Sequence, residues 1–225
     1  MTHHPDLIRL NAVNYRVKSG KEELVILRDI SLVIKAGDSI AITGASGSGK
    51  TSLLNIMAGL ELPTCGQVWY GSQDITRLDE DERAQRRASK IGFIFQSFQL
   101  LANLTAIENV MLPLEINGFS DAFDKAMDWL IQVGLEPRAN HYPGQLSGGE
   151  QQRIAIARAF AITPAVLFAD EPTGNLDKKT GQTIIDLLFN LNAKQHSTLI
   201  IVTHDDNLAN RCKTHWPLAD GQLLC

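Results

Sequence analysis

The chain opens on two stretches of β-forming residues. Leu7 to Val17 and Glu23 to Ile34 mix alternating and continuous apolar positions, and Ser19-Gly20-Lys21 separates them as a turn. Ala36-Gly37-Asp38 marks a second turn, and Ser39 to Thr43 (SIAIT) reads as a short buried strand. From Thr51 to Leu60 the spacing changes, with Leu53, Leu54, Met57 and Ala58 recurring at the helical interval. A β segment at Gln67 to Tyr70 ends at Gly71, and Asp79 to Ala88 is charged and helix-like. Ile91 to Phe95 (IGFIF) is again a buried strand. Between 97 and 145 the pattern turns helical, with stretches Thr105 to Val110 and Asp121 to Val133 broken by Pro113, Gly118, Gly134 and Pro137. From Ser147 helix and strand alternate: a helix to Ala161, a strand Ala165 to Ala169, a helix Lys178 to Ala193 and a strand Thr198 to Thr203.

The four apolar strands near 40, 93, 167 and 200 lack strict alternation. Parallel strands covered on both faces look this way. The expectation is an α/β fold with a mostly parallel core sheet and an inserted α-helical lobe at 97–145. The length, 225 residues, suits one large domain or one domain with an insertion. Lys plus Arg is 21 and Asp plus Glu is 25, a net charge of −4, which argues against nucleic-acid binding by bulk charge. No run reaches the roughly 18 uninterrupted apolar residues of a membrane span. The start, MTHHPDLIRL, carries acid, histidine and proline where a signal peptide needs a basic and then an apolar region. The three cysteines, Cys65, Cys212 and Cys225, are scattered without metal-ligand spacing and read as incidental thiols of a reducing compartment.

Candidate chemistry begins at Gly44-Ala45-Ser46-Gly47-Ser48-Gly49-Lys50-Thr51, a complete GxxxxGK[ST] between a predicted strand and a predicted helix. Glycines there bring bare backbone N–H groups onto phosphate oxygens, and the following helix aims its positive end at the same anion. Lys50 can reach the β and γ phosphates, and the Thr51 hydroxyl can ligate Mg²⁺. Val166 to Glu171 is an apolar strand ending in two carboxylates. Asp170 is placed to hold Mg²⁺ and Glu171 to polarise an attacking water. Leu146-Ser147-Gly148-Gly149-Glu150-Gln151-Gln152-Arg153 opens a further helix. Ser147 and Glu150 form a capping box, which leaves the two glycines unexplained, since each costs up to about 1 kcal/mol against alanine inside a helix. Open N–H groups at a helix start make a second anion-binding surface.

LSGGEQQR following a P-loop resembles the signature of ATP-binding-cassette ATPases. Other motifs of that family fall in order along essentially the whole chain. Gln96 after IGFIF is similar to the Q-loop glutamine, a Mg²⁺ ligand that senses a transmembrane partner. Gly174-Asn175-Leu176-Asp177 resembles the D-loop, and His204 after LIIVT the switch histidine at the γ-phosphate. Within the family, FADEPTGNLD (168–177), IGFIFQSFQLL and LTAIENVML resemble the lipoprotein-release and macrolide-exporter group, and DLLFNLN (186–192) and LANRC (208–212) the YbbA-type ATPases.

The resemblance implies a single cassette domain over 1–225. A RecA-like core and an N-terminal antiparallel β subdomain occupy 1–96 and 146–225, and the helical lobe is 97–145. It implies an ATPase that works as a homodimer. The P-loop run through Ser52 on one copy, and Ser147, Gly148 and Gly149 on the other, sandwich each ATP, with Asp177 nearby. Thr51, Gln96 and Asp170 hold Mg²⁺, and Glu171, His204 and Lys50 act on the phosphates. It also implies a cytoplasmic subunit on the inner face of the inner membrane, bound to an integral-membrane permease. Apolar Phe98, Leu100, Leu101 and Leu104 are candidates for that contact, or for the lobe's own core. The adenine-stacking aromatic of the family falls on Val17 here, with Tyr15 two residues earlier as a substitute or simply packed on the sheet. The alternative function is a soluble cassette ATPase without a permease.

Overall fold

A computed structural model describes residues 6–20 and 22–224. The opening MTHHP, Lys21 of the first turn and Cys225 lie outside the described residues. In chain order the first elements are β1 (Asp6–Ser19), β2 (Glu22–Lys35), β3 (Ser39–Thr43), α1 (Lys50–Met57), β4 (Cys65–Tyr70), β5 (Gln73–Asp74) and α2 (Glu80–Lys90). There follow β6 (Ile91–Ile94), α3 (Ala106–Ile116), α4 (Ala122–Gln132), α5 (Gly148–Phe160), β7 (Val166–Asp170) and α6 (Lys178–Gln195). The last are β8 (Thr198–Val202), α7 (Asp206–Ala209), β9 (Thr214–Ala219) and β10 (Gln222–Leu223). Contacts divide the chain into two compact units, Met1–Arg87 with Thr198–Cys225, and Ala88–Ser197.

The first unit holds an antiparallel sheet in the order β2-β1-β4-β5. Ile8 and Leu10 are buried on one parity of β1 and Val13 on the other. The change of parity is a bulge: the ladder shifts between Leu10 and Val13, and Ala12 sits at φ 47°. The facing strand does the same. Leu27 and Ile30 are both buried across Asp29 at φ 48°, and the Asp29 N–H donates to the Asn14 side-chain carbonyl at 3.1 Å. In the same unit β3 runs parallel to β8 on one side and to β9 on the other, and β10 pairs antiparallel with β9. Ile40, Ala41 and Ile42 of β3 and Leu199 to Val202 of β8 are almost wholly buried, as the unbroken apolar runs require.

β9 and β10 had no counterpart in the sequence pattern. THWPLA carries a proline and a single buried residue, Leu218, so neither period shows.

In the second unit β6 and β7 pair in parallel, and α5 packs against β6. Helices α3, α4 and α5 pack on one another, with the rings of Trp129 and Phe160 stacked 5.9 Å apart. The segment 97–145 contains α3, α4 and two short 3₁₀ turns. Helix α3 starts with a capping box, Thr105 and Glu108, and runs through Pro113 to Ile116, where the spacing predicted a break. Buried Val110 and Leu114 flank the proline, so packing on both sides outweighs the lost backbone hydrogen bond. Fully buried Asn109 ties down the loop before α3: its amide nitrogen donates to the Leu101, Leu104 and Thr105 carbonyls, and its oxygen accepts from the Leu101 N–H.

Phe160 is fully buried at the end of α5. Truncation leaves a cavity and removes the ring contact with Trp129, so Phe160→Ala should lose about 3–5 kcal/mol in a urea titration. A loss of less than about 1 kcal/mol would mean that the helices of this unit do not depend on that contact.

Candidate functional site

Two separate helix starts carry the candidate chemistry, one in each unit. In the first unit the P-loop joins β3 to α1. Gly49 precedes α1 at φ 101°, a conformation that side chains rarely adopt. A Cβ on Gly49 would also lie 2.9 Å from the Ile26 carbonyl and 3.0 Å from the Leu27 side chain, so β2 backs the loop at this point. Lys50 is buried, and its Nζ donates to the Gly44 and Ala45 carbonyls at 2.8 Å each. The ammonium therefore lies across the loop whose N–H groups surround a phosphate in this motif. Ser48 is buried beside it, Ser46 and Thr51 are exposed, and Ser52 is half-buried.

At the far end of β3's neighbour, His204 is exposed just after β8. Thr203 beneath it is fully buried and anchored by its N–H to the Ile42 carbonyl at 3.1 Å. Val17 pairs with Leu24 and Tyr15 with Leu27, with a register shift between Tyr15 and Arg16. A hydrogen bond to the Glu61 carboxylate, then burial, raises the Tyr15 phenol pKa. Tyr15 thus has a partner of its own, Glu61 of the loop after α1.

In the second unit α5 begins at the signature run. Ser147 caps it, and the predicted capping box is present: the Glu150 N–H donates to the Ser147 hydroxyl at 3.3 Å, while the Ser147 N–H and hydroxyl donate to the Glu150 carboxylate at 2.8 and 2.7 Å. The two glycines separate in role. A Cβ on buried Gly149 would come within 2.6 Å of the Thr180 methyl, so helix packing alone demands glycine there. One on Gly148 would meet only ordinary contacts, Leu176 at 3.4 Å and Phe98 at 3.7 Å. Gly148 and exposed Ser147 are what remains for an anion to touch.

The loops after β6 and β7 interlock within this unit. The Asn175 side chain donates to the Gln96 carbonyl at 2.9 Å, and a Cβ on Gly174 would lie 3.0 Å from the Gln96 amide nitrogen. Gln96 is exposed. Beyond it Phe98 and Gln99 are both left-handed, at φ 62° and 50°, which costs roughly 1–2 kcal/mol per residue. Arg158 of α5 holds that turn, its guanidinium donating to the Gln99 carbonyl at 2.6 Å and the Phe98 carbonyl at 2.9 Å. Phe98, Leu100 and Leu104 are half-buried and Leu101 exposed, so this stripe is not the core of the helical segment.

Asp170 ends β7, and Glu171 follows at φ 45°. Both side chains are half-buried. The Gly174 N–H closes the turn onto the Glu171 carbonyl at 2.9 Å, and the buried Gln152 side chain donates to the Pro172 carbonyl at 2.6 Å. Asp177 caps α6, accepting from the Lys179 and Thr180 N–H groups at 3.0 Å. Its hydrogen bonds from Thr180 hold its carboxyl below the usual range. The contacts that Arg158, Asn175 and Gln152 make were not legible in the sequence, because each reaches a backbone carbonyl far along the chain. Among the described residues no cluster of three or more His, Cys, Asp or Glu side chains forms a metal-binding group.

A phosphate-cradling loop opening a helix, a β strand ending in Asp-Glu and a glycine-started signature helix define a P-loop ATPase cassette. The sequence profile of the ABC transporter family matches residues 27–174. The chain is 50% identical over 220 residues to the uncharacterized ABC transporter ATP-binding protein YbbA of Escherichia coli (strain K12), covering 97% of this chain and 96% of that protein. It is 46% identical over 206 residues to the lipoprotein-releasing system ATP-binding protein LolD of Legionella pneumophila (strain Paris), with 91% of each chain covered. Among solved structures, the dimeric post-hydrolysis state of the ATP-binding cassette MJ0796 bound to ADP and Pi superposes with a TM-score of 0.90 at 42% identity, over 97% of both chains. The chain belongs to the ABC transporter family, as an ATP-hydrolysing, nucleotide-binding subunit.

The capping box gives the signature helix a pH dependence. Hydrogen bonds from Ser147 hold the Glu150 carboxyl below the ordinary carboxylate range. Such a group adds stability above its unfolded value, about 4.3, and loses it as pH falls through the lower folded value. Glu150→Gln should therefore show a shallower fall in Tm than the parent chain when acidified below about pH 4.3, with parallel curves at neutral pH. Identical slopes in acid would show that the box does not hold the charged form.

Proposed function

We propose that this chain is the cytoplasmic ATPase subunit of a membrane transport or mechanotransmission complex, and that ATP joins two copies of it at shared sites. The observation that carries the reading is the start of α5 at exposed Ser147 and half-buried Gly148, a second anion-binding surface in a chain that already has a P-loop. A P-loop alone serves a monomeric nucleotide enzyme, whereas two such surfaces suit a head-to-tail pair with a nucleotide shared across it. The dimeric state of MJ0796, with its ADP and Pi, supports the same arrangement.

In this reading the amides of Gly44 to Thr51 and the Lys50 ammonium bind the phosphates of ATP, and Ser52 extends that run. Ser147 and Gly148 of the second copy face the γ-phosphate, with buried Gly149 packed behind them and Asp177 nearby. Lys50 exchanges its two loop carbonyls for phosphate oxygens when the nucleotide binds. Glu171 orients the attacking water and takes its proton, and His204 holds the γ-phosphate. The hydroxyl of Thr51, the amide oxygen of Gln96 and the carboxylate of Asp170 are hard oxygen donors of the kind Mg²⁺ selects. A bound Mg²⁺ would offset the negative charge of the phosphates. Release of phosphate removes the charge that favours the paired state, so the pair opens by a shift in population. The segment 97–145 passes this to a permease, and exposed Leu101 beside half-buried Leu100 and Leu104 offers it an apolar surface. No described helix is long and apolar enough to cross a membrane, as a peripheral subunit requires. The IGFIFQSFQLL and FADEPTGNLD phrases and the LolD relative favour the lipoprotein-release and macrolide-exporter group.

Glu171→Gln should keep ATP affinity, lose hydrolysis by about 10²–10⁴-fold and run as an ATP-dependent dimer on size exclusion. Unchanged turnover would take the water-activating role from Glu171. Ser147→Arg, by contrast, should bind ATP as a monomer and fail to dimerise. A dimer of normal strength in that variant would remove the signature from the shared site.

A further inference from the structure

We propose that Gln152 is a positioning residue for Glu171, an inference that rests on the assignment of Glu171 as the group that handles the attacking water. Gln152 lies on the second turn of α5 with no exposed surface. Its Nε2 donates to the Pro172 carbonyl at 2.6 Å, while its Oε1 has no hydrogen-bond partner among the described residues. A buried amide with one end unmatched is a costly side chain to keep, and an apolar side chain of the same volume would fill the space at less cost. What the glutamine supplies at this place is the one donor to Pro172.

That donor acts on strained backbone. Glu171 is left-handed at φ 45°, a conformation that an ordinary side chain keeps only where its surroundings over-determine it. The Gly174 N–H holds the Glu171 carbonyl from one side, and Gln152 holds the next carbonyl along, that of Pro172. The Gly174 bond holds the peptide plane between Glu171 and Pro172 and the Gln152 bond the plane that follows Pro172, so the chain leaving Glu171 is held on its C-terminal side. Without the Gln152 donor the turn can relax, and the carboxylate leaves its aligned position.

The same side chain ties two functions together. Gln152 stands three residues after Gly149 on a single helix, so a displacement of the signature end of α5 reaches the Pro172 carbonyl, next to Glu171, through one hydrogen bond. A nucleotide that orders the start of α5 thereby favours the aligned Glu171 of the same copy.

The test is steady-state ATP hydrolysis by the full chain carrying Gln152→Met, close in volume and without a donor, and in parallel Gln152→Glu, which exchanges the donor for an acceptor. Both should lower kcat about 10–100-fold, as misplacement of a reacting group does, and leave KM for ATP within about twofold. In the Glu171→Gln background Gln152→Met should cause no further loss, because the group it positions is already gone. An unchanged kcat in either folded variant overturns the inference. So does a rise in KM that accounts for the loss, or a loss that multiplies with that of Glu171→Gln. If Glu171→Gln itself turns over normally, both assignments fall. If it is inactive while Gln152→Met is not, the role of Gln152 alone is refuted.

Discussion

Backbone N–H groups left unpaired at the start of a helix are the constraint on which the rest depends. A helix has four of them, and they must meet a side chain, water or a ligand. At α5 a capping serine and its glutamate satisfy part of the set, and the glycine that follows leaves the remainder open. At α1 no side-chain cap is made at all, and Gly49 stands where a capping serine or aspartate would otherwise be placed. In the proposed reading both starts accept an anion, and each belongs to a different compact unit of the chain. β3 delivers the P-loop after three buried residues, and β7 delivers Asp170 and Glu171 after four.

Three of the left-handed non-glycine residues of the second unit lie in the loops that follow β6 and β7. Phe98, Gln99 and Glu171 are all left-handed without being glycine. Each is restrained by hydrogen bonds to backbone carbonyls: Arg158 at Phe98 and Gln99, Gln152 and Gly174 at Glu171 and Pro172. Two of those side chains come from α5, so the helix that opens with the signature also organises the turns behind Gln96 and Asp170. Asn175 adds a bond from the D-loop to the Gln96 carbonyl. Strain held by so few bonds suits elements that switch between two arrangements, since loss of one bond releases a defined conformation.

Much of this was legible in the sequence where one local period or one contiguous motif carried it. SIAIT gave β3 to the residue, the P-loop and signature were complete octapeptides, and the Ser147–Glu150 box formed as its spacing required. Helix ends moved by a few residues, because α1 stops at Met57 while its apolar spacing runs on to Leu60. Pro113 misled through a real local cost that burial of Val110 and Leu114 overrides. The C-terminal strands were invisible because pairing, of β9 with β3 and of β10 with β9, and not composition, makes them strands. The glycines of the signature were read as two open amides, and the structure gives Gly149 a packing reason of its own. Gln152, Arg158 and Asn175 were beyond reach, since contacts 20 to 79 residues apart leave no local pattern.

Whether the nucleotide site is composed from two copies can be read most directly by mixing two inactive chains. Lys50→Ala removes the P-loop side of a site and Ser147→Arg the signature side. A mixed pair has one site with both defects and one with neither, so combining the two variants should restore ATP hydrolysis that each lacks alone. A mixture no more active than its separate components would show that P-loop and signature serve the same copy, and would contradict the shared site.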